Sequence, residues 1–557
     1  MQWSWPEIEP YFQDLAGREL SAQNVHEWLL DWTRLNERLH ETLQRLYVAI
    51  TVDTTDREAQ QRYEYFLDEI FPPSQAADQK LKEKLLASGL EPAGFEVPLR
   101  DLRAEINLFR EVNLPLLARE MKLSAEYDKI IGAQTVEWEG REATILQLQP
   151  VYQDLDRDRR ERAWRLAAAR QLADREVINR LWTKLMDLRR QLSDNAGLPD
   201  YRAYRWQQLL RFDYTPQDCE LFQQAIEKVV VPAARRSYER RRHRLGVDKL
   251  RPWDLDVDPL GRPPLRPFQD AGELESKSAA IFHQVDPQLG AYFEIMRREG
   301  LLDLENRKGK APGGYCTDFP AARRPFIFMN AVGIHEDVQT LLHEGGHAFH
   351  VFETRNLPFY HQLRVGMEFA EVASMGMEFL ASPYLIEQAG GFYSKTESAR
   401  ARIEHLDSSL RFWPYMAVVD AFQHWVYMHH QAATDPANCD ARWAELWERF
   451  MIGQDWDELE EEKVTGWQRK LHILQTPFYY IEYGLAQLGA VQVWRNALAD
   501  QASAVSAYRK ALSLGGTVTL PQLFATAGAK FAFDPGTVQQ AVDLIEKNIA
   551  ELETVQE

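Results

Sequence analysis

The sequence predicts a mostly helical protein of two lobes, with a small β-sheet set among the helices. Apolar residues recur at three- and four-residue spacing from 24 to about 130, and again after about 157, which is the period of one buried helix face. Stretches that alternate apolar and polar residues are short. At 557 residues the chain also exceeds the size at which a single hydrophobic core usually stops growing.

Taken in order, "VHEWLLDWTRLNERLHETLQRLYVAI" opens a helical lobe. "TVEWEGREATILQL", residues 135 to 148, alternates on both sides of an "EGRE" turn and predicts a hairpin. The lobe boundary is placed beside it, giving an N-terminal helical lobe over 1–150 and a second region over 151–557. Long helices resume in "DRDRRERAWRLAAARQLADREVINRLWTKLMDLRRQLSDNAG", where mixed charges around a narrow apolar stripe mark a solvated face. "LRPWDLDVDPLGRPPLRPF", residues 250 to 268, reads as an irregular connector before a helix near 273–284. "PFIFMN", residues 325 to 330, predicts a strand, either a buried core strand or an edge that another extended chain can join. There is no internal repeat and no long low-complexity tract.

The 84 acidic against 65 basic residues leave a formal charge of -19, which disfavours nucleic acid and anionic membrane surfaces as partners and suits cationic or neutral ligands. The basic run "RRSYERRRHRLGVDKLR", residues 235 to 251, has no recognisable docking motif. Cys219, Cys316 and Cys439 are too few and too scattered for a disulfide framework or a cysteine metal cluster, so a reducing cytoplasm is expected. Cys316 reads as a buried free thiol, since a nucleophile needs an activating partner. The N-terminus lacks a basic region followed by an apolar one, and no apolar run reaches the roughly eighteen residues a membrane span needs.

"LLHEGGHAFH", residues 341 to 350, carries the chemistry. His343 and His347 are four apart, so both face one side of a helix and can meet one ion, with Glu344 beside them. In this H-E-x-x-H arrangement two imidazoles hold zinc and the glutamate serves as general base. Gly345 and Gly346 each cost a helix interior about 1 kcal/mol relative to alanine, so close backbone approach to a neighbour is expected there. A third ligand is required. The class that continues the motif with glycine and histidine is excluded, because His350 and Glu353 stand at those positions. Glu353 faces away if the helix continues. "GMEFAEVASMGMEFL", residues 366 to 380, places Glu368, Glu371 and Glu378 on one face of a second helix, and spacing alone does not choose among them.

The segment "GGYCTDFPAARRPFIFMNAVGIHEDVQTLLHEGGHAFH", followed by "EFAEVASMGMEFL" and "PFYYIEYGLAQLGA", resembles the thimet oligopeptidase and oligoendopeptidase F family of zinc metallopeptidases, the latter more closely. Looser similarity, as in "GLPDYRAYRW" and "RFDYTP", extends over about 195–540. The resemblance implies a two-lobed helical fold with a deep substrate channel. It implies one zinc ion on His343, His347 and Glu371, with Glu344 as general base. Glu368, Glu378 and His350 become candidates for orienting the ligands. By the same resemblance His472, Tyr480 and Tyr483, in "HILQTPFYYIEYGL", are candidates for binding the oxyanion, with core packing as the competing role for each tyrosine. That segment lacks the paired glycines of the mammalian thimet-type loop. The implied activity is cleavage of internal bonds in short unstructured peptides; the rival reading is a silent peptide-binding protein that keeps the fold.

Overall fold

The computed structural model describes residues 4–307, 310–311 and 313–556 of the chain. Helices dominate, and the strands form one two-stranded and one three-stranded sheet. The N-terminal core gathers Phe12, Trp28, Leu29, Trp32, Leu81, Leu85, Phe95 and Leu99. Its tryptophans are anchored at their polar ends, Trp28 Nε1 donating to the Leu15 carbonyl at 2.9 Å and Trp32 Nε1 to Asp78 at 2.8 Å. An indole buried this way brings a large apolar face without an orphaned N–H. From Leu108 onward, Leu123 and Tyr127 already belong to the second, much larger core, which runs to Leu552.

Strands β1 (Thr135–Trp138) and β2 (Arg141–Thr144) form the expected hairpin, Trp138 pairing with Arg141. Glu139 and Gly140 both take positive φ, +50° and +80°, as a two-residue turn matching the right-handed strand twist requires. The hairpin packs on Leu148, Val151, Ala163 and Ala167.

In the second sheet β3 (Leu302–Glu305) lies parallel and β4 (Tyr315–Phe319) antiparallel to a central β5 (Arg324–Ala331). Residues 325–329 of β5 are all buried. Cover on both faces replaces alternation with a continuous apolar run, and this is why "PFIFMN" reads as a strand without period two. The helix Val25–Val52 of the first lobe seats along β4: Thr317 donates to Gln44 at 2.9 Å, Thr51 shares a 2.6 Å hydrogen bond with the Tyr315 hydroxyl, and His40 meets Asp318 at 3.2 Å.

After β5 the chain turns into the helix His335–Thr354, hereafter the ligand helix. Asp337 ties the turn by accepting from the backbone N–H groups of Val332, Gly333 and Ile334 at 2.8–2.9 Å. The turn leading into the helix is thereby held by one carboxylate at the N-terminal end, where a negative charge also suits the helix dipole. The ligand helix packs against the glutamate helix Met367–Ala381 at a separation only glycine permits. A Cβ on Gly346 would lie 2.3 Å from the Ala373 carbonyl oxygen and 2.6 Å from Ser374 Cα, and one on Gly345 would lie 2.6 Å from the Phe282 ring. No helix among the described residues is long and apolar enough to cross a membrane.

Candidate active site

The ligand helix presents His343 and His347 with ring centroids 5.1 Å apart, and the glutamate helix brings Glu371 across to them. Glu371 Oε2 lies 3.4 Å from His343 Nε2 and 3.6 Å from His347 Nε2. Zinc bonded at 2.0–2.2 Å in a tetrahedron sets neighbouring ligand atoms roughly 3.3–3.6 Å apart, so the spacing of this donor set fits the ion.

The electrostatics agree with a cationic occupant. Burial disfavours a charged His343, yet Glu371 and Glu378 more than offset it and hold the imidazole well above its ordinary pKa. His347, buried with less compensation, is pushed down to about 4 and keeps its lone pair free at neutral pH. Burial alone would raise the Glu371 pKa, but His347 and His343 hold it below the usual carboxylate value, and Ser374 Oγ donates to its Oε2 at 2.9 Å. Glu344 is 8 % exposed; burial pushes its pKa up to about 7, against the opposing pull of His343. A carboxyl near neutrality is suited to take up and return a proton.

Glu378 orients the first ligand. His343 Nδ1 donates to Glu378 Oε1 at 2.6 Å, and His405 Nε2 sits 2.8 Å from Glu378 Oε2. With Nδ1 committed to a carboxylate, the His343 ring is fixed in orientation and turns Nε2 toward Glu371. His405 comes from the long helix Lys395–Met428, twenty-seven residues beyond Glu378, and no local pattern in the sequence marks it. Glu368, on the same helix face in the sequence reading, is directed elsewhere: it accepts from the Tyr214 hydroxyl at 2.7 Å and lies 3.7 Å from Arg211. His350 is buried with no hydrogen-bond partner at Nε2, stands edge-on to Phe369, and is pushed down to about 4 by burial.

Beside Tyr483, one of the two tyrosines expected from the sequence, the C-terminal segment brings Tyr479, which the sequence reading did not name. Tyr479 donates to Glu371 Oε1 at 3.3 Å, and its ring stands 5.2 Å from that of Tyr483. Tyr480 turns its ring into packing with Phe412 and Tyr415, under the Lys470 ammonium at 4.1 Å. The segment is kinked just before these tyrosines: Phe478 has φ of +65°, a conformation costing a non-glycine residue about 1–3 kcal/mol. His472 packs within 6 Å of the Tyr479 and Tyr483 rings, and burial pushes its pKa down to about 3, so it is a neutral group beside the site.

Two cavities lie on the side of the molecule that His347 and His350 face. One of 280 Å³ is lined by Cys316, His347, His350 and Asp318; the other, of 480 Å³, lies between helices of the first lobe and the turn at 360–364, and both share Asp318 and Leu363. Asp318 and Leu363 thus form the wall between the inter-lobe cavity and the one that His347 lines. Burial, reinforced by Glu344, pushes the Cys316 thiol pKa well up, so it is a poor nucleophile. A further cluster of Cys219, Asp420 and His424 lies in the core. There Arg202 donates to His424 Nδ1 at 3.3 Å, which leaves the ring proton on Nε2 facing Asp420, so this ring offers a proton rather than a lone pair. The basic run is neutralised within the fold, Arg236 pairing with Glu546, Arg240 with Asp407 and Arg244 with Glu553.

The fold and the site define a helical protein in which two histidines and a carboxylate converge as a group that could hold a metal ion. The chain belongs to peptidase family M3: the family's model matches residues 151–541, and the model of its N-terminal domain matches 2–93. It is 24% identical over 316 residues to an oligoendopeptidase F homolog of Mycoplasma pneumoniae, covering 50% of this chain and 46% of that one. It is 24% identical over 273 residues to oligopeptidase PepF of Bacillus subtilis, covering 48% of this chain and 39% of that one. These matches span less than half of either relative's length. Among solved structures, PZ peptidase A with an inhibitor superposes with a TM-score of 0.91 at 29% identity, covering 100% of this chain and 99% of the other. Oligoendopeptidase F of Enterococcus faecium shares the fold, with a TM-score of 0.64 at 14% identity over 99% of this chain and 98% of the other.

Proposed function

We propose that this peptidase is a zinc-dependent endopeptidase that cleaves internal bonds of short unstructured peptides in the cytoplasm. The observation that carries the reading is the convergence of His343, His347 and Glu371 at separations of 3.4 and 3.6 Å with Glu344 adjacent. Zinc held there would polarise a peptide carbonyl and lower the pKa of a water molecule toward neutrality. Glu344 takes the proton from the attacking water and returns it to the leaving amine. Tyr479, whose hydroxyl reaches Glu371, and Tyr483 beside it would supply phenol donors to the charge that grows on the carbonyl oxygen, with His472 packed against both rings. Three unpaired cysteines support a reducing compartment.

Metal analysis combined with cleavage-site mapping on a mixed peptide library tests the proposal. Glu344→Gln should keep near-stoichiometric zinc while turnover falls by orders of magnitude; Glu371→Ala should lose the metal. Full turnover by Glu344→Gln would remove it as general base. Peptide binding without any product from the wild-type chain would favour a silent binding protein instead.

A further inference from the structure

We propose that Arg211 is a positioning residue for Tyr479 and Tyr483, holding both phenols at a set distance from Glu371. The inference rests on the peptidase reading above and extends it to a residue that lines neither cavity. Arg211 follows the helix Tyr201–Gln208 at a bend where Leu210 has φ of +57°, and its side chain is 1 % exposed. A buried guanidinium is costly unless paired, and of its three nitrogens only Nη2 finds acceptors within hydrogen-bond distance, so the identity of those acceptors is informative.

Arg211 Nη2 donates to the Phe478 carbonyl, one residue before Tyr479, and to Glu482 Oε1 at 2.6 Å, one residue before Tyr483. Its Nε faces Glu368 Oε1 at 3.7 Å, three residues before Glu371 on the glutamate helix, and the Tyr214 hydroxyl donates to that same oxygen. One cation thus joins the tyrosine segment at two points to the helix bearing the metal-facing carboxylate. The face of Trp206 lies 4.6 Å from the guanidinium carbon and limits its movement. Arg205 holds the preceding carbonyl, that of Pro477, at 3.2 Å, and Gln423 accepts from the Phe478 N–H at 3.2 Å.

Phe478 therefore keeps its left-handed conformation because its N–H and its carbonyl are both held from outside the segment. Next to it, Tyr479 rather than Tyr480 reaches Glu371. Transition-state donors work only when placed before the charge develops, so a clamp on their backbone acts on turnover rather than on peptide binding. Nη2 alone serves the Phe478 carbonyl and Glu482, while the rigid guanidinium plane lies against Trp206 and turns Nε toward Glu368; a flexible ammonium carries the charge without that fixed orientation.

The test is a pair of double-mutant cycles on the zinc-loaded full chain. Arg211→Lys keeps a positive charge between Glu368 and Glu482, so it should bind a full equivalent of zinc while kcat falls about tenfold or more and KM changes by less than about twofold. In a Tyr479→Phe background the same substitution should cost less than about twofold further, because the group it positions has already been removed. Glu482→Ala leaves Arg211 facing Glu368 and guards against misfolding of the arginine variant; it should lower kcat alone and add little to Tyr483→Phe. Equal fold losses with and without the tyrosine hydroxyls would assign Arg211 and Glu482 to general stability and overturn the proposal, as would unchanged kcat in both single variants. Wild-type chain that leaves peptides intact, or Glu344→Gln that retains turnover, would instead overturn the peptidase reading and this inference with it.

Discussion

Tyr479→Phe removes the hydroxyl that reaches Glu371 at 3.3 Å and leaves the ring in place, so kcat should fall by about 100-fold with KM little changed. Tyr480→Phe keeps the packing with Phe412 and Tyr415 and should leave kcat within a few-fold of wild type. Steady-state rates on one defined peptide separate the two, and the reverse ranking would return Tyr480 to the role the sequence suggested. Away from the site, burial pushes the Asp101 pKa up to about 6, with Arg100 only partly offsetting it. Between about pH 4 and 6 the folded chain holds a proton that the unfolded chain releases, so this group lowers stability as pH rises through that window, and the full penalty remains above it. Asp101→Asn should therefore raise stability at pH 7 by up to about 3 kcal/mol, less the lost Arg100 contact, with the advantage vanishing near pH 4. Thermal melts of both chains at pH 4 and pH 7 read this directly; an equal gain at the two pH values would mean the charge is not responsible.

At the scale of elements, the metal triad depends on how closely the ligand helix and the glutamate helix approach. Gly346→Ala would drive a Cβ to 2.3 Å from a backbone carbonyl, which cannot yield without separating the helices. Overpacking of this kind typically costs about 1–3 kcal/mol, and the same separation moves His347 away from Glu371. Both the melting temperature and zinc retention under chelator should drop. Gly345→Ala meets the Phe282 ring, a side chain that can tilt, so its effect should be the smaller of the two. Similar losses for both variants, or zinc retention unaffected by Gly346→Ala, would show that helix separation does not set the site.

For the whole molecule, a cavity lies between the first lobe and the turn at 360–364, and the proposed function makes it the approach for a peptide. Its acidic lining, including Asp78, Asp101, Glu105 and Asp318, is partly compensated by Lys82 and Arg364. With the overall charge of -19, cationic peptides should be favoured at low salt and lose that advantage as salt screens the field. A folded domain cannot bring its backbone down an inter-lobe cleft, whereas a free peptide can. One sequence presented both as a peptide and within a stably folded domain should be cut only in the first form; comparable cleavage of both would mean the cleft does not restrict access.

The sequence by itself determined the helical class, the hairpin at 135–148, the strand at 325–330, and the pairing of His343 with His347 beside Glu344. Each of these follows from a period or a turn read within a few consecutive residues. The need for glycine at 345 and 346 was legible too, because a helix interior tolerates such a pair only for close approach. Tertiary structure alone decided the rest. Glu368, Glu371 and Glu378 share one face by spacing, yet the neighbours of that face differ along its length: Arg211 and Tyr214 meet the first, the histidines the second, and His343 with His405 the third. Tyr479 reaches Glu371 while Tyr480 packs against Phe412 and Tyr415, next to a Phe478 whose backbone is held by Arg211 and Gln423 from segments far away in the chain. Local patterns carry no record of such contacts, because the energy that selects them comes from burying groups that meet only after the chain has folded.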